Sequence, residues 1–475
     1  MKVCVIGAGP AGLTAAYQLA KSGVEIELFE ASAEVGGMSR SMQMWGQTVD
    51  LGPHRFFSSD ARVNRLWLEV VQGDYVMVDR LTRIFYDGRF FQYPLEPFNA
   101  LKNLGPTRAA ACILSYLRAR LSKKDSSQQP ETFESWVVNR FGRRLYETFF
   151  KSYSEKLWGI SCQELDADFA AQRIKKLSLG EVIKNACRIG RKQHRTLVDR
   201  FAYPTGGTGV VYERMAEGID AVGEVHLQRP VKRVITKDGQ ARAVELVDGR
   251  VYECDHVVST MPLTLLVKGL DDTPAEVLEA TRKLTFRNTI VVYLHVDATE
   301  LFPDQWVYVH SPNLKLGRIT NFRNWAPQLY GDSDKSIVAL EYWCNDGDET
   351  WQAADEQLVE LGSRELRATG LIGDAPIIDG AVVRVPKCYP VYKSGYRDHL
   401  AVVTEYLNTI ERLTPIGRYG AFKYNNQDHS ILMGLLAADQ ILHQKDGDLW
   451  SINTDYESYQ EAAVIGETGL EPVAG

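Results

Sequence analysis

The chain has 475 residues with 45% hydrophobic and 10% aromatic content, enough for two or three globular domains. A formal net charge of −7 argues against nucleic acid or an anionic membrane surface as the main partner, while leaving room for a local basic site. No run of about eighteen apolar residues occurs, so no membrane span is expected, and seven scattered cysteines (4, 112, 162, 187, 254, 344, 388) without a Cys-x-x-Cys spacing predict reduced cytoplasmic thiols and no metal site. A strand entered at Val3 leaves no room for a signal peptide.

Val3-Cys4-Val5-Ile6 predicts a short buried strand, and the chain turns at once through Gly7-Ala8-Gly9-Pro10-Ala11-Gly12 into a helix from Leu13 to Lys21. Gly7 permits the tight turn, Gly9 lets the backbone approach a pyrophosphate, and Gly12 lets helix and strand pack closely. The helix start offers unpaired N–H groups and a positive dipole end to phosphate. A second strand, Glu25 to Phe29, ends in Glu30, eighteen residues past Gly12, where an acid accepts hydrogen bonds from a ribose. Strand, glycine turn, helix, strand and terminal acid together point to a dinucleotide.

Val35 to Ser41 carries Gly36-Gly37 followed by Arg40. This Gly-Gly-x-x-Arg pattern resembles the second fingerprint of flavoproteins in the glutathione-reductase class, which implies FAD rather than NAD. Asp50 to Phe57 reads as a strand end and turn; His54 suits a turn histidine or a residue meeting a flavin ring. Residues 81–93 predict two short strands around Asp87-Gly88. From Pro97 to Arg195 the pattern is helical, with Thr132 as a cap and apolar spacing running through Phe141, Leu145 and Phe149. Arg173 to Arg200 holds nine Lys/Arg against two acids, a solvated helix face with a minority of charges free for an anionic ligand. Tyr203-Pro204-Thr205-Gly206-Gly207-Thr208-Gly209 is a glycine loop before a helix over Val210 to Ile219. Strands follow near 225–227, 231–235, 243–246 and 256–260, the last returning to the nucleotide-binding sheet. Residues 285–410 predict a second, mostly antiparallel sheet with a helix near 353–368. Gly417 to Gly420 then precedes a helix from Ser430 to His443, and the tail after Gly447 has no strong pattern.

Gly417-Arg418-Tyr419-Gly420-Ala421-Phe422-Lys423-Tyr424-Asn425-Asn426-Gln427-Asp428-His429-Ser430 resembles the UDP-galactopyranose mutase family, its eukaryotic type more than its bacterial one. So do Trp306-Val307-Tyr308 with Arg318-Ile319-Thr320-Asn321-Phe322, and the Gly-Gly-Thr-Gly loop after Tyr203-Pro204. The resemblance runs in islands along nearly the whole chain. The fold it implies is α/β: a Rossmann-like FAD-binding domain of the glutathione-reductase class with a helical insert and an antiparallel-sheet substrate domain. The corresponding boundaries are 1–96, 200–265 and 415–450 for the FAD-binding domain, 97–199 for the helical substrate-side domain, 266–414 for the antiparallel-sheet domain, and 451–475 for a tail.

The activity implied is interconversion of pyranose and furanose forms of an NDP-hexose. Reduced FAD is the working form, its N5 bonding the anomeric carbon with no net redox change, and NAD(P)H is the implied transient reductant. Arg173 and Arg318 match the arginine pair that clamps the diphosphate, a task suited to the planar, paired donors of guanidinium. Tyr308, Tyr389 and Tyr424 match diphosphate-holding tyrosines, with Tyr392 as the alternative to Tyr389. Trp306 matches a position at the sugar, Asn426 and Gln427 a loop at flavin and substrate, and His54 a histidine bearing on flavin reactivity. Gly7, Gly9, Gly12, Glu30, Gly37, Arg40, Gly206, Val231 and Arg418 complete the FAD-binding set.

The chain departs from the family in places. Val198 and Ala202 stand for Asn and Arg, Ser154 for Asn, and the loop between Tyr424 and Asn426 is two residues short. Near the family's uracil pocket, Tyr93-Pro94-Leu95-Glu96 replaces Tyr-Pro-Phe-Gln. A carboxylate only accepts hydrogen bonds, so Glu96 suits the N–H edge of guanine better than uracil carbonyls. The base is therefore open among UDP, GDP and dTDP, as is a homo-oligomer. Two rival readings remain: an FAD-dependent oxidase or desaturase of the amine oxidase or protoporphyrinogen oxidase type, and a flavin-binding module without turnover.

Overall fold

The structure, a computed structural model, describes residues 1–95, 97–121, 132–167, 200–220, 222–443, 445, 447–452, 463–466 and 469–472. Arg173, Glu96 and Val198 lie outside the described residues. The first strand, Lys2–Ile6, is the centre of a five-stranded parallel sheet with spatial order Leu413–Pro415, His256–Ser259, Lys2–Ile6, Glu25–Phe29, Glu224–His226. Parallel strands need crossovers, and the crossovers bury both faces; Val3, Cys4, Val5 and Ile6 are accordingly all buried. The helix Pro10–Lys21 packs on Gln427–His443 and Gly209–Asp220. Its closeness to Gln427–His443 depends on Gly434, where a Cβ would stand 2.5 Å from the Ala11 carbonyl oxygen. That helix starts three residues before the expected Ser430, and Gln427 and Asp428 in its first turn line the cavity described below.

The second layer is a seven-stranded mixed sheet of order Ile377–Pro390, Phe286–Val296, Ser336–Cys344, Arg318–Asn321, Trp306–Val309, Thr82–Tyr86, Arg89–Gln92. All pairs are antiparallel except Trp306–Val309 beside Thr82–Tyr86. The strands at 82–92, expected with the dinucleotide-binding part, instead complete the far edge of this sheet. A strand's own sequence does not say which edge it joins, and here the parallel partner lies more than 220 residues away.

A helical segment packs against the seven-stranded sheet. Thr132 caps Phe133–Phe141, its hydroxyl accepting from the Ser135 N–H at 3.2 Å. The helix expected to run on to Phe149 stops at Gly142, whose φ is +83° and whose Cβ would stand 2.7 Å from the Tyr116 nitrogen. The chain restarts through Arg143–Leu145, passes a π-type stretch at Tyr146–Lys151 and continues as Ser152–Trp158. The wide turn changes the helix phase and presents Phe149, Phe150, Tyr153 and Ser154 to the cavity. No helix among the described residues is long and apolar enough to cross a membrane.

One buried carboxyl ties these parts together. Asp50 ends the hairpin Ser41–Met44/Gln47–Asp50. Its Oδ1 accepts from Ser41 Oγ at 2.6 Å and from the Thr208 N–H at 3.1 Å, and its Oδ2 accepts from Tyr203 Oη at 2.7 Å. Its backbone carbonyl accepts from Tyr293 Oη, on the seven-stranded sheet, at 2.8 Å. Burial pushes the carboxyl up to about 6, against the pull of those donors. Between its ordinary 3.8 and about 6 the folded protein holds a proton that the unfolded chain has released. Stability from this group is therefore complete below the lower value and lost as pH rises through the higher one. Asp50→Asn, which keeps an acceptor and cannot ionise, should gain on the wild type by up to about 3 kcal/mol between pH 4 and pH 7 in urea unfolding. A difference that does not change with pH would place the proton elsewhere.

Candidate active site

A cavity of about 1120 Å³ runs between the two sheets. It exceeds the roughly 300–1,000 Å³ of a single-ligand pocket, so there is space for a cofactor and a substrate together.

At one end stands the glycine turn. Gly7 has φ +95°, and a Cβ there would lie 2.2 Å from Thr260 Oγ1, which itself donates to the Ile6 carbonyl at 2.8 Å. A Cβ at Gly12 would lie 2.0 Å from the Gly7 oxygen, so Gly12 serves helix packing and stays off the cavity wall. Gly9 faces open space and Gly37 closes over it, its Cβ position 3.1 Å from the Gly9 Cα. The helix has Pro10 at its first position and no side-chain cap, leaving its start to a ligand. Glu30 lines the cavity, one oxygen accepting from the Ala8 N–H at 2.7 Å and the other from Ser32 at 2.8 Å. Arg40 and Val231 also line this end; Arg40 donates to the Gly37 carbonyl. A backbone cradle that side chains would fill, an uncapped helix start and an oriented acid together fit a dinucleotide.

Gly206, expected at the cofactor, is instead exposed and away from the cavity. Its loop acts one layer behind. Gly207 and Gly209 press on Ser41, with Cβ positions 2.4 Å and 2.5 Å from Ser41 atoms, and so buttress the Asp50 hairpin.

The middle of the cavity is charged and aromatic. Arg318 Nε donates to Glu341 Oε1 at 2.6 Å and Nη2 to Oε2 at 2.5 Å, a two-pronged pair whose carboxylate is only 3% exposed. Burial opposes the charge, yet Glu341 and nearby tyrosines hold the Arg318 guanidinium well above its ordinary value. Arg418 Nε donates to the Cys388 carbonyl and Nη1 to the Asn425 carbonyl, both at 2.9 Å; Nη2 has no hydrogen-bond partner among the described residues. The Arg418 guanidinium lies over Tyr389 at 4.6 Å and Tyr424 at 4.4 Å, and those two rings stack at 5.3 Å. Tyr389 faces the cavity. Tyr392 does not: its hydroxyl accepts the Tyr424 N–H at 2.7 Å. His54 lines the same region with Nδ1 unpartnered; burial, then Arg318 and Arg418, push it down to about 3, so it is neutral. Trp306 also lines it, with Nε1 unpartnered. Asn426 and Gln427 stand at the wall, but the Gln427 side chain is already committed, accepting from Tyr212 Oη and donating to the Arg55 carbonyl. What this position offers a ligand is the start of its helix.

The far end is an aromatic slot. Tyr93 and Tyr308 meet at 4.9 Å, and Tyr153 meets Tyr308 at 5.7 Å, His310 at 4.5 Å and Trp343 at 5.6 Å. Glu341, Tyr153, His310 and Trp343 escape the sequence analysis. Only Glu341 left a signal there: it is the single ionisable side chain expected to be charged in Ser336–Cys344, nine consecutive buried residues. Glu27, Glu224 and His226 cluster away from the cavity, but Lys2 Nζ takes Glu27 at 2.9 Å and the group is an ion-pair network.

Three comparisons bear on this geometry. The family model for flavin containing amine oxidoreductase matches residues 10–442. A probable UDP-galactopyranose mutase of Klebsiella pneumoniae is 31% identical over 172 residues, 35% of this chain and 43% of the relative, so the match spans less than half of that protein's length. Coproporphyrinogen III oxidase of Mycobacterium bovis is 24% identical over 422 residues, 84% of this chain and 88% of the relative. Among solved structures, reduced UDP-galactopyranose mutase superposes with a TM-score of 0.84 at 22% identity, over 96% of this chain and 98% of the other.

Removing one partner of a buried ion pair strands the other. Glu341→Ala should therefore lower unfolding free energy by about 3–5 kcal/mol. Inorganic pyrophosphate should raise the Tm of this variant more than that of the wild type, because a bound anion replaces the lost carboxylate. Equal shifts would mean that Arg318 is out of reach of cavity anions.

Proposed function

Because the chain belongs to the flavin containing amine oxidoreductase family, we propose that it is an FAD-dependent nucleotide-sugar mutase, exchanging pyranose and furanose forms of an NDP-hexose. The observation that carries this reading is the middle of the cavity: Arg318, two stacked tyrosines and Trp306 line one wall, within the same cavity as a dinucleotide cradle. A ring exchange at an anomeric carbon needs a leaving diphosphate held in place and recovered. Cations and phenol donors do this by meeting charge as it develops.

Gly7, Gly9 and Gly37 would receive the FAD pyrophosphate against the helix start at Pro10, Glu30 its ribose, and the start of the Gln427 helix its ring. Reduced flavin supplies a nucleophile for such an exchange. Neutral His54 leaves the ring's surroundings without an added positive charge. Tyr308, Tyr389 and Tyr424 would donate to the diphosphate, and Arg318, already neutralised by Glu341, would turn part of its charge toward it. Arg173 is assigned the second half of the clamp, and Trp306 the sugar face. Asn426, Tyr93 and Glu96 are assigned to the substrate's remaining polar and base contacts. NAD(P)H is the proposed reductant.

A second reading is an FAD-dependent oxidase, favoured by the length of the match to coproporphyrinogen III oxidase. The two part on oxygen and on prior reduction. Dithionite-reduced protein incubated with UDP-, GDP- and dTDP-hexopyranoses should form a furanose product without stoichiometric oxygen uptake, and oxidised protein should form none. Oxygen consumption matched to substrate, with no ring-contracted product, would favour the oxidase. Arg318→Ala and Arg173→Ala should each lower kcat/KM at least about tenfold, about 1.4 kcal/mol of transition-state stabilisation; wild-type rates in either would remove that residue from the clamp.

A further inference from the structure

We propose that the outer face of the helix Pro106–Leu121 seats on an anionic lipid surface, its apolar stripe entering the headgroup boundary and its arginines meeting lipid phosphate. This does not rest on the mutase reading: it concerns where the protein works and not what it converts.

One side of this helix is fixed to the protein. It packs on Pro97–Leu104, Phe133–Phe141 and Arg143–Leu145. Cys112 and Tyr116 are buried there, Ser115 Oγ accepts the Arg144 N–H at 3.2 Å, and the turn at Gly142 presses on the Tyr116 backbone. The other side carries Ile113, Leu114, Leu117 and Leu121, which are 45%, 59%, 48% and 86% exposed. At about 100° per residue these four share one arc of about 100°, a continuous stripe. Among the described residues, other helices expose at most a single large apolar side chain, Leu265 or Val402. Single exposed leucines are ordinary; a stripe of four along one helix marks a contact surface.

Charge says what the stripe meets. The helix carries Arg108, Arg118 and Arg120 and no acid, and the sequence continues as Ser122-Lys123-Lys124-Asp125. Arg108 is paired with Asp87. Arg118 and Arg120 fall within about 40° of the two edges of the stripe, one on each side. Arg120 is steadied there, its Nε donating to Tyr116 Oη at 3.1 Å. Exposed leucines bordered by cations are the pattern of a helix lying in a membrane interface, where each cation adds attraction to anionic lipid. The chain as a whole carries a formal charge of −7, so that attraction is local to such a basic face and sets how the protein lies on the surface.

A second copy of the chain fits this face less well. A two-fold contact through it brings two acid-free, arginine-bearing helices together. Four apolar side chains are also far fewer than the roughly 20–30 residues a side of a stable protein interface.

Co-sedimentation of the full chain with vesicles tests the proposal, one set made of phosphatidylcholine alone and one of equal parts phosphatidylglycerol and phosphatidylcholine. The wild type should bind the mixed vesicles at least about tenfold more tightly than the neutral ones, and the difference should vanish in about 1 M salt, where the screening length is about 3 Å. Leu114→Ser with Leu117→Ser interrupts the stripe, and Arg118→Glu reverses the charge at one edge. Each variant should bind the mixed vesicles at least about tenfold more weakly and keep the melting temperature of the wild type, because the changed side chains face outward. Failure of the wild type to bind either vesicle overturns the proposal, as does equal binding of both vesicles or unchanged binding by the variants. A wild-type dimer in light scattering that the serine variant converts to a monomer would also overturn it and give the face to a second copy. If the serine variant is unfolded, Arg118→Glu decides alone.

Discussion

The site depends on one buried carboxyl. Asp50 gathers donors from its own hairpin, from Tyr203 on the strand Arg200–Pro204, from the glycine loop at Thr208 and, through its backbone, from Tyr293 on the seven-stranded sheet. Of the next residues, Leu51, Pro53 and His54 line the cavity, and Gly52 passes within reach of the Arg318–Glu341 pair; a Cβ there would stand 3.4 Å from Glu341 Oε1. Three stretches far apart in the chain, 41–50, 203–208 and the strand at 293, are thereby fixed relative to the cofactor end and the charged middle at once. No single helix or strand could do this, because the cavity is lined from both sheets, which share one hydrophobic cluster beside it.

The Arg318–Glu341 pair sets the chemistry of that cavity. A buried ion pair adds little to stability when compared with apolar packing of the same volume, so its presence points to use. The carboxylate keeps the guanidinium charged and oriented before any ligand arrives. Arg318 and Arg418 together disfavour a proton on His54, and the tyrosines stacked beneath Arg418 give it a π-face in place of a second carboxylate. The result is a wall with partly unspent positive charge beside a neutral histidine. That combination suits a multiply charged anion better than a cationic amine.

What was legible in the sequence was local. The glycine turn, Glu30 and the helix after it could be read because each residue answers to a neighbour within a few positions, and the Thr132 cap is equally local. The parallel and antiparallel sheets followed from apolar runs and alternation. What escaped depends on contacts across the chain. Gly206 lies in a glycine loop, but the loop presses on Ser41 instead of a phosphate. Gly142 falls inside the helix expected through Phe149, and its positive φ against the backbone of Tyr116 ends that helix. Tyr153 and Ser154 reach the cavity only through the π-type stretch, and the hairpin-like pairing of Tyr75–Asp79 with Arg200–Pro204 joins segments more than 120 residues apart. Choosing Tyr389 over Tyr392 required knowing which hydroxyl was already occupied.

The most direct measurement is a crystal structure of the reduced protein with a bound nucleoside diphosphate. Its phosphates are expected within hydrogen-bond distance of Arg318 and the Tyr389–Tyr424 pair, with FAD held at the glycine turn from Gly7 to Gly12. A nucleotide seated elsewhere, with Arg318 facing only Glu341 and the tyrosine pair bare, would contradict it.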